Sequence, residues 1–184
     1  MPITVHDIYD DFDNDPQEIP YKSLTFSGGE EYVQFEKPEE LYGRHLWIDA
    51  RITNSAEFMK LLAVGNALRS INKGYFGLFI PYFPGARQDH PIQGTPATLR
   101  MNVKTICQFV DPYLLLVADA HSDGVQSNFT FYKIDDDSCD DPYNLPPTNR
   151  TTRNFINMHH ESFQWSPTVK YDAVIAPDKG AENR

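Results

Sequence analysis

The sequence has few cysteines, no excess of positive charge and no long apolar run. Only two of its 184 residues are cysteines, Cys107 and Cys139, and neither belongs to a C-x-x-C pair. The usual spacing of zinc ligands is therefore absent. Lysine and arginine number 16 against 26 acidic residues, a net charge of −10, which argues against broad binding to nucleic acid or to acidic membranes. No apolar run approaches the length of a membrane span.

The sequence also shows neither the pattern of a signal peptide at its start nor the common phosphate-binding loops. The first residues, MPITVHDIYDDFDND, are acidic and do not show the basic-then-apolar plan of a signal peptide, so we expect a cytoplasmic protein. Neither a P-loop nor a G-x-G-x-x-G motif occurs. The acidic composition is still compatible with a nucleotide site in which a metal ion neutralises the phosphates.

Apolar runs that alternate with a helical pattern predict an α/β fold. Residues 45–52 read as a strand, and Asn54 with Glu57 three residues later is typical of a helix start of the capping-box type. Apolar residues then recur at helical spacing until Gly74, and residues 76–83 read as a buried strand. This order favours two parallel strands joined by a right-handed crossover.

Further elements follow from the same patterns. A second helix is predicted over residues 97–110, where Cys107 lies on the apolar face and is interpreted as a core residue. Two runs, 22–26 and 31–36, flank Gly28-Gly29 and predict a hairpin. The remaining predictions are strands over 3–8, 113–119, 129–134 and 171–176, and a helical segment over 151–163.

The two central predicted strands each end in a polar loop. The strand over 76–83 is followed by Arg87, Gln88 and Asp89, and the strand over 113–119 is followed by His121. In an open α/β sheet, ligands bind at the carboxyl ends of parallel strands. There Arg87 is suited to bind a phosphate through two hydrogen bonds or to stack on a base. The alternative is a solvated loop with a surface Arg–Asp pair.

Asp119 and His121 lie two residues apart, and in an extended chain such residues point to the same side. One interpretation is a Mg²⁺ site, in which Asp119 provides an oxygen ligand and His121 bonds to phosphate or to metal-bound water. The other is a structural hydrogen bond between the two side chains. The spacing favours both interpretations equally.

Five sequence blocks occur in an order that is known from one enzyme family. They are Phe26-Ser-Gly-Gly-Glu30, residues 52–69, Ile80-Pro-Tyr-Phe83 with Ala86-Arg-Gln-Asp89, Asp119-Ala-His121, and Ala176-Pro-Asp178. In this order they resemble the ribose-phosphate pyrophosphokinases, also called phosphoribosyl pyrophosphate synthetases. The resemblance runs from about Phe26 to the last residue, and IPYFxxxARQD is its most specific block.

The resemblance implies a three-layer α/β/α fold with a mostly parallel sheet, of the phosphoribosyltransferase type. Residues 1–165 would form an ATP-binding domain, and residues 166–184 would begin a second, truncated domain. The implied reaction is the transfer of pyrophosphate from Mg-ATP to the 1-hydroxyl of ribose 5-phosphate. It gives phosphoribosyl pyrophosphate and AMP, for nucleotide biosynthesis, with Mg²⁺ as the cofactor.

The resemblance also implies roles for individual residues. Phe26 and Glu30 would reach the adenine bound by a neighbouring subunit, which implies a homo-oligomer. Gly28 stands where the family usually has aspartate, so the contact with the base differs at that point. The implied ATP-binding residues are Phe26, Gly28, Glu30, Arg87, Gln88 and Asp89, and the implied metal residues are Asp119, His121 and Asp178.

The second half of the family pattern is missing from these 184 residues. Neither the loop with catalytic lysine and arginine nor the loop that binds ribose 5-phosphate has a counterpart. We therefore expect the chain to be the N-terminal part of the enzyme, with the catalytic basic residues elsewhere. The alternative is a non-catalytic nucleotide-binding or regulatory relative that pairs with a complete synthetase. A plain phosphoribosyltransferase is disfavoured because its phosphoribosyl-binding loop is absent.

Overall fold

A computed structural model of the chain provides the coordinates. The structure describes only the backbone of residues 130, 131 and 154–158. The described residues are 3–7, 16–72, 76–118, 120–131 and 154–158. Their strands are β1 (Ile3–Asp7), β2 (Gln17–Glu18), β3 (Tyr21–Thr25), β4 (Glu31–Phe35), β5 (Leu46–Ala50), β6 (Phe76–Ile80), β7 (Leu114–Ala118) and β8 (Asn154–Met158), and their α-helices are α1 (Ser55–Asn72), α2 (Thr98–Thr105) and α3 (Gly124–Phe131).

The central sheet of the described residues has the strand order β2-β1-β5-β6-β7-β8. Strands β5 to β8 run parallel to one another, whereas β1 is antiparallel to both β2 and β5. Helix α1 connects β5 to β6, and α2 lies between β6 and β7. The predicted fold class is confirmed: the protein has a mixed α/β fold with a mostly parallel central sheet and flanking helices.

Helix α1 begins where the sequence predicts it. The Glu57 amide donates to Asn54 Oδ1 over 3.0 Å, and the Glu57 carboxylate accepts from the Thr53 amide over 2.6 Å. The returning bond thus goes to the residue before Asn54, and not to Asn54 itself as in a simple capping box. The amide of Thr53 is the main reason why the pKa of Glu57 lies below its ordinary value. The cap fixes the point at which the chain turns from β5 into α1.

The core lies between the helices and one face of the sheet. Alternate residues of β5, β6 and β7 are buried there, as are Leu61, Val64 and Leu68 of α1. Each fully buried aliphatic side chain of this kind contributes about 1.5–3 kcal/mol to the free energy of unfolding. The buried hydrophobic side chains of these three strands are Leu46, Ile48, Ala50, Phe76, Leu78, Ile80, Leu115 and Val117.

The second predicted helix is confirmed with one irregularity. Helix α2 continues over Ile106–Val110 as a π-helical turn, which ends at Asp111 in a left-handed conformation. Cys107 in this turn is buried, so its interpretation as a core residue is confirmed. In the part of the chain that the structure describes, no helix is long and apolar enough to cross a membrane.

Two sequence-based predictions are wrong. Residues 129–131 of the strand predicted over 129–134 are instead the end of helix α3, because Val125 and Phe129 are four residues apart and both are buried on the same helical face. Residues 132–134 lie outside the described residues. The helical segment predicted over 151–163 contains strand β8, whose pairing with β7 outweighs a weak helical pattern. The predicted strand over 171–176, Cys139 and the domain boundary after residue 165 lie outside the described residues.

Candidate functional site

Two loops leave the sheet at the same edge, the carboxyl ends of β6 and β7. The two strands are parallel neighbours, and Ile80 pairs with Val117 near their ends. The loop after β6 is residues 81–90, called here the first loop, and residues 120–123 after β7 are the second loop. Their positions place Arg87, Gln88 and Asp89 on the same edge as His121, as the order of the elements indicates.

The first loop is anchored by its apolar residues and exposes its polar ones. Phe83 and Ala86 are buried, and the Ala86 amide donates to the Phe83 carbonyl over 3.2 Å. A 3₁₀ turn follows over Ala86–Gln88, closed by a bond of 2.8 Å from the Gln88 amide to the Gly85 carbonyl. Arg87 and Gln88 are exposed on this turn. A short, hydrogen-bonded turn therefore presents both side chains to solvent.

Gly85 is the point at which the first loop reverses direction. Its φ of 79° lies in the left-handed region, where residues with a Cβ are disfavoured. A Cβ at this position would also lie 3.0 Å from Thr98 Cγ2 and 3.3 Å from the Leu99 amide nitrogen. The loop is thus packed directly on the first turn of helix α2, and only glycine fits there without a shift.

Asp89 connects the two loops. Its carboxylate accepts hydrogen bonds from the Ser122 hydroxyl and from His90, whose Nδ1 lies 3.1 Å from Asp89 Oδ1. These bonds, with that from Ser122 the largest cause, lower the pKa of Asp89 to about 2. The side chain of Asp89 is only 12% exposed. The Asp89 carboxylate is therefore hydrogen-bonded within the protein, and little of its surface is accessible to a ligand.

The second loop continues directly into helix α3. The Gly124 amide donates to Ser122 Oγ over 3.2 Å, and a Cβ on Gly124 would lie 3.4 Å from Asp89 Cβ. Ser122 thus bonds to the first loop on one side and to the helix start on the other. The neighbouring His121 is exposed. Together the two loops form one surface, with Arg87 and Gln88 on one part and His121 on the other.

The residues expected to hold a metal ion are only partly described. His121 is exposed at the sheet edge, whereas Asp119 and Asp178 lie outside the described residues. Within the described ranges, no group of three or more His, Cys, Asp or Glu side chains is arranged to hold a metal ion. Mg²⁺ prefers oxygen ligands and keeps several waters, so an exposed imidazole suits a bond to phosphate or to metal-bound water. The described residues therefore do not test whether Asp119 and His121 form a Mg²⁺ site or a structural hydrogen bond, and both interpretations stay predictions.

The remaining expected ATP contacts lie on a separate hairpin. Strands β3 and β4 form a two-stranded sheet, as predicted, and its turn is closed by a bond of 2.9 Å from the Phe26 amide to the Glu30 carbonyl. Phe26 is 53% exposed and contacts Tyr32 edge to face. A Cβ at Gly28 would lie 2.6 Å from Glu30 Oε2. The Glu30 carboxylate therefore lies against Gly28, and a side chain at position 28 would require this exposed carboxylate to move.

A cavity lies at the opposite edge of the sheet, where β5 and β6 begin. It has a volume of about 390 Å³ and includes Arg44, which forms an ion pair of 2.8 Å with the buried Asp7. Asn72, at the end of α1, bonds to the Gly43 amide and to the Arg44 carbonyl. The residues lining this cavity are Gly43, Arg44, His45, Asn72 and Tyr113.

The sequence reasoning did not identify two polar residues that organise the candidate site, Asn102 and Ser122. Asn102 lies on the buried face of α2, and its Nδ2 donates to the Pro84 carbonyl over 3.0 Å. An asparagine among the apolar positions of a helix is a signal in the sequence, because a buried amide needs a partner. Ser122 gives no comparable signal, since serine is common in loops.

Comparison with known proteins supports the fold. No protein-family model and no curated protein sequence matches the chain. Its structure is similar to that of the phosphoribosylpyrophosphate synthetase from Mycobacterium smegmatis, with a TM-score of 0.59 and 18% sequence identity. The similarity covers 79% of this chain and 41% of the synthetase, so the chain spans less than half of that enzyme's length. At this identity the likeness shows a shared fold.

Proposed function

We propose that this chain is the ATP-binding, N-terminal part of a ribose-phosphate diphosphokinase. The observation that carries the proposal is the contact between Asp89 and Ser122, which joins the first and second loops into one surface at the carboxyl edge of the sheet. This is where open α/β sheets bind ligands. The sequence blocks of the family and a fold similar to that of a phosphoribosylpyrophosphate synthetase give further support.

In this proposal the exposed residues of both loops bind the triphosphate. The Arg87 guanidinium provides a permanent charge and paired donors for phosphate oxygens or a flat surface for the base. Gln88, on the same turn, contributes an amide donor. His121 donates to a phosphate oxygen or to metal-bound water from the second loop. Asp89 supports these residues by holding the loops together.

Mg²⁺ fits the residue types expected at this edge. Asp119 and Asp178 would provide oxygen ligands, with His121 beside them, and the phosphates and waters would complete the shell. When bound, the ion neutralises charge on the phosphate oxygens. In a chain with a net charge of −10, this neutralisation would favour the binding of a triphosphate.

The proposed reaction is an exchange at the β-phosphorus of ATP. The 1-hydroxyl oxygen of ribose 5-phosphate forms a bond to that phosphorus, and the bond from phosphorus to the oxygen bridging the α- and β-phosphates breaks. AMP leaves with the electron pair, and the hydroxyl proton passes to water or to a base. Reactions of this type depend mainly on positioning and on cationic groups around the phosphates. The chain would supply positioning for ATP, and the family's catalytic lysine and arginine would come from elsewhere.

The hairpin is proposed to complete the site of a second copy. Phe26 is a half-exposed aromatic ring on a turn that faces solvent, and Glu30 is exposed on the same turn. An aromatic face and a carboxylate suit contacts with adenine and its amino group. This arrangement requires a homo-oligomer, in which one protomer's hairpin meets its partner's first loop.

The reaction can be tested by measuring AMP release from Mg-ATP with and without ribose 5-phosphate. The chain is assayed alone and with the C-terminal half of a phosphoribosylpyrophosphate synthetase added. The proposal predicts sugar-dependent release only in the second case, and loss of that release in Arg87→Ala. Binding of Mg-ATP without release under any condition would instead favour the nucleotide-binding or regulatory relative. Absence of binding would contradict both.

A further inference from the structure

Asn102 is a buried polar side chain on helix α2. It is 8% exposed and lies beside Leu99 and Val103, which are fully buried. Its Nδ2 donates to the Pro84 carbonyl over 3.0 Å, across 18 residues of sequence. Burying an amide without a partner costs free energy, and the bond to Pro84 offsets that cost for Asn102.

The bond from Asn102 acts on the turn that presents Arg87. Pro84 is followed by Gly85 in the left-handed conformation, and the Gly85 carbonyl accepts from the Gln88 amide over 2.8 Å. Helix α2 is thus connected to Gln88 through two hydrogen bonds to neighbouring carbonyls: Asn102 bonds to that of Pro84, and the Gln88 amide bonds to that of Gly85. The orientation of the exposed Arg87 and Gln88 side chains follows from where the helix holds Pro84.

The turn at Gly85 is closely packed against helix α2. A Cβ added to Gly85 would lie 3.0 Å from Thr98 Cγ2 and 3.2 Å from Asn102 Nδ2. The turn is therefore packed against the helix at Gly85 and bonded to it at Pro84. A segment held in this way loses less conformational entropy when a ligand orders it.

We infer that Asn102 is a positioning residue for the nucleotide site. It does not touch the ligand; it sets the affinity for Mg-ATP by fixing the turn that carries Arg87 and Gln88. This inference rests on the proposed function, because it names a residue that supports that same site.

The test replaces Asn102 by leucine, which has the same number and branching of side-chain heavy atoms and no hydrogen-bond donor. The matched control is Asn72→Leu. Asn72 is also a buried asparagine, 3% exposed, and its Nδ2 donates to the Arg44 carbonyl over 2.8 Å at the opposite edge of the sheet. Asn102→Leu loses the bond to the Pro84 carbonyl, and Asn72→Leu loses two bonds, to the Arg44 carbonyl and from the Gly43 amide, so both variants are expected to unfold at a lower temperature. Gly85→Ala is a third variant, which displaces the same turn by crowding Thr98 and Asn102 but keeps the asparagine at position 102.

Two quantities are measured: the Kd for Mg-ATP by calorimetry, and the exchange rate of the Gln88 amide proton by NMR. We expect Asn102→Leu and Gly85→Ala to raise the Kd about fivefold, the equivalent of one hydrogen bond, and to speed Gln88 exchange. Asn72→Leu should change neither.

Equal effects of Asn102→Leu and Asn72→Leu, or no effect of Asn102→Leu, would overturn the inference. Failure of the wild-type chain to bind Mg-ATP would instead overturn the proposed function, and with it the role of Asn102 in affinity. Gln88 exchange would then still decide whether Asn102 holds the turn.

Discussion

The Ser122 hydroxyl donates a hydrogen bond to the Asp89 carboxylate, 33 positions earlier in the chain, and thereby joins the loops that follow β6 and β7. Hydrogen bonds to a charged acceptor are stronger than those between neutral groups. The contact makes the two loops one surface.

Single and double substitutions of Ser122 and Asp89 should show that the two side chains stabilise the fold through their contact. We expect Ser122→Ala and Asp89→Ala each to lower the free energy of unfolding by about 1–2 kcal/mol. The double variant should lose less than the sum of the two, by about 1 kcal/mol. Urea unfolding of the four proteins measures this difference. Strictly additive losses would mean that the two side chains do not interact.

The stability that Asp89 provides should depend on pH. Its pKa is lowered from the ordinary value of 3.8 to about 2 in the folded protein, first by the bond from Ser122 and then by that from His90. A lowered pKa stabilises the folded state above the unfolded pKa, and this contribution is lost as the pH falls through about 2. The stability advantage of the wild type over Asp89→Asn should therefore be constant from pH 7 to about 4.5 and shrink below 3.8. An advantage that grows on acidification would contradict this assignment.

The cap of helix α1 should contribute measurably to stability. Asn54 Oδ1 accepts from the Glu57 amide over 3.0 Å at the helix start. We expect Asn54→Ala to lower the free energy of unfolding by about 1 kcal/mol. Asn54→Asp and Asn54→Ser keep an acceptor at this position and should lose much less. Thermal unfolding of the three variants compares them, and equal losses in all three would argue against capping.

The ion pair between Asp7 and Arg44 should matter for folding but not for the candidate site. Asp7 is buried, and Arg44 Nη1 lies 2.8 Å from its Oδ2. Arg44→Met leaves a buried carboxylate without its partner. The full cost of breaking such a pair is about 3–5 kcal/mol, and we expect about 2 kcal/mol because Arg44 is partly exposed. Lys37→Met, which breaks a fully exposed pair with Glu40, is the control and should leave stability unchanged.

The same Arg44→Met variant tests where the nucleotide binds. Arg44 lies at the opposite edge of the sheet from Arg87, so its replacement should leave the Kd for Mg-ATP within about twofold of the wild type. A strong loss of affinity in Arg44→Met, with none in Arg87→Ala, would place the nucleotide in the cavity at the other edge.

Local sequence patterns predicted most of the sheet and helix α1. Apolar runs marked β5, β6 and β7, and Asn54 with Glu57 marked the helix start, because these signals act between neighbouring residues. Helix α3 and strand β8 were missed for a different reason. The packing of Phe129 in the core and the pairing of β8 with β7 are tertiary effects that outweigh a local preference.

The same distinction applies to the candidate site. The position of Arg87, Gln88 and Asp89 followed from the end of a strand, and the structure places them at that edge. The bonds of Asn102 to Pro84 and of Ser122 to Asp89 join segments that are far apart in the sequence. No local pattern specifies such pairs, so the way the loops are held became visible only in the folded chain.

The most direct test of the account is a calorimetric titration of Mg-ATP into three proteins: the wild type, Arg87→Ala and Lys37→Ala. Both variants lose one exposed positive charge, but only Arg87 lies on the first loop. The account predicts binding to the wild type, a loss of affinity of at least about tenfold in Arg87→Ala, and little change in Lys37→Ala. No binding to the wild type, or equal affinity in all three proteins, would contradict it.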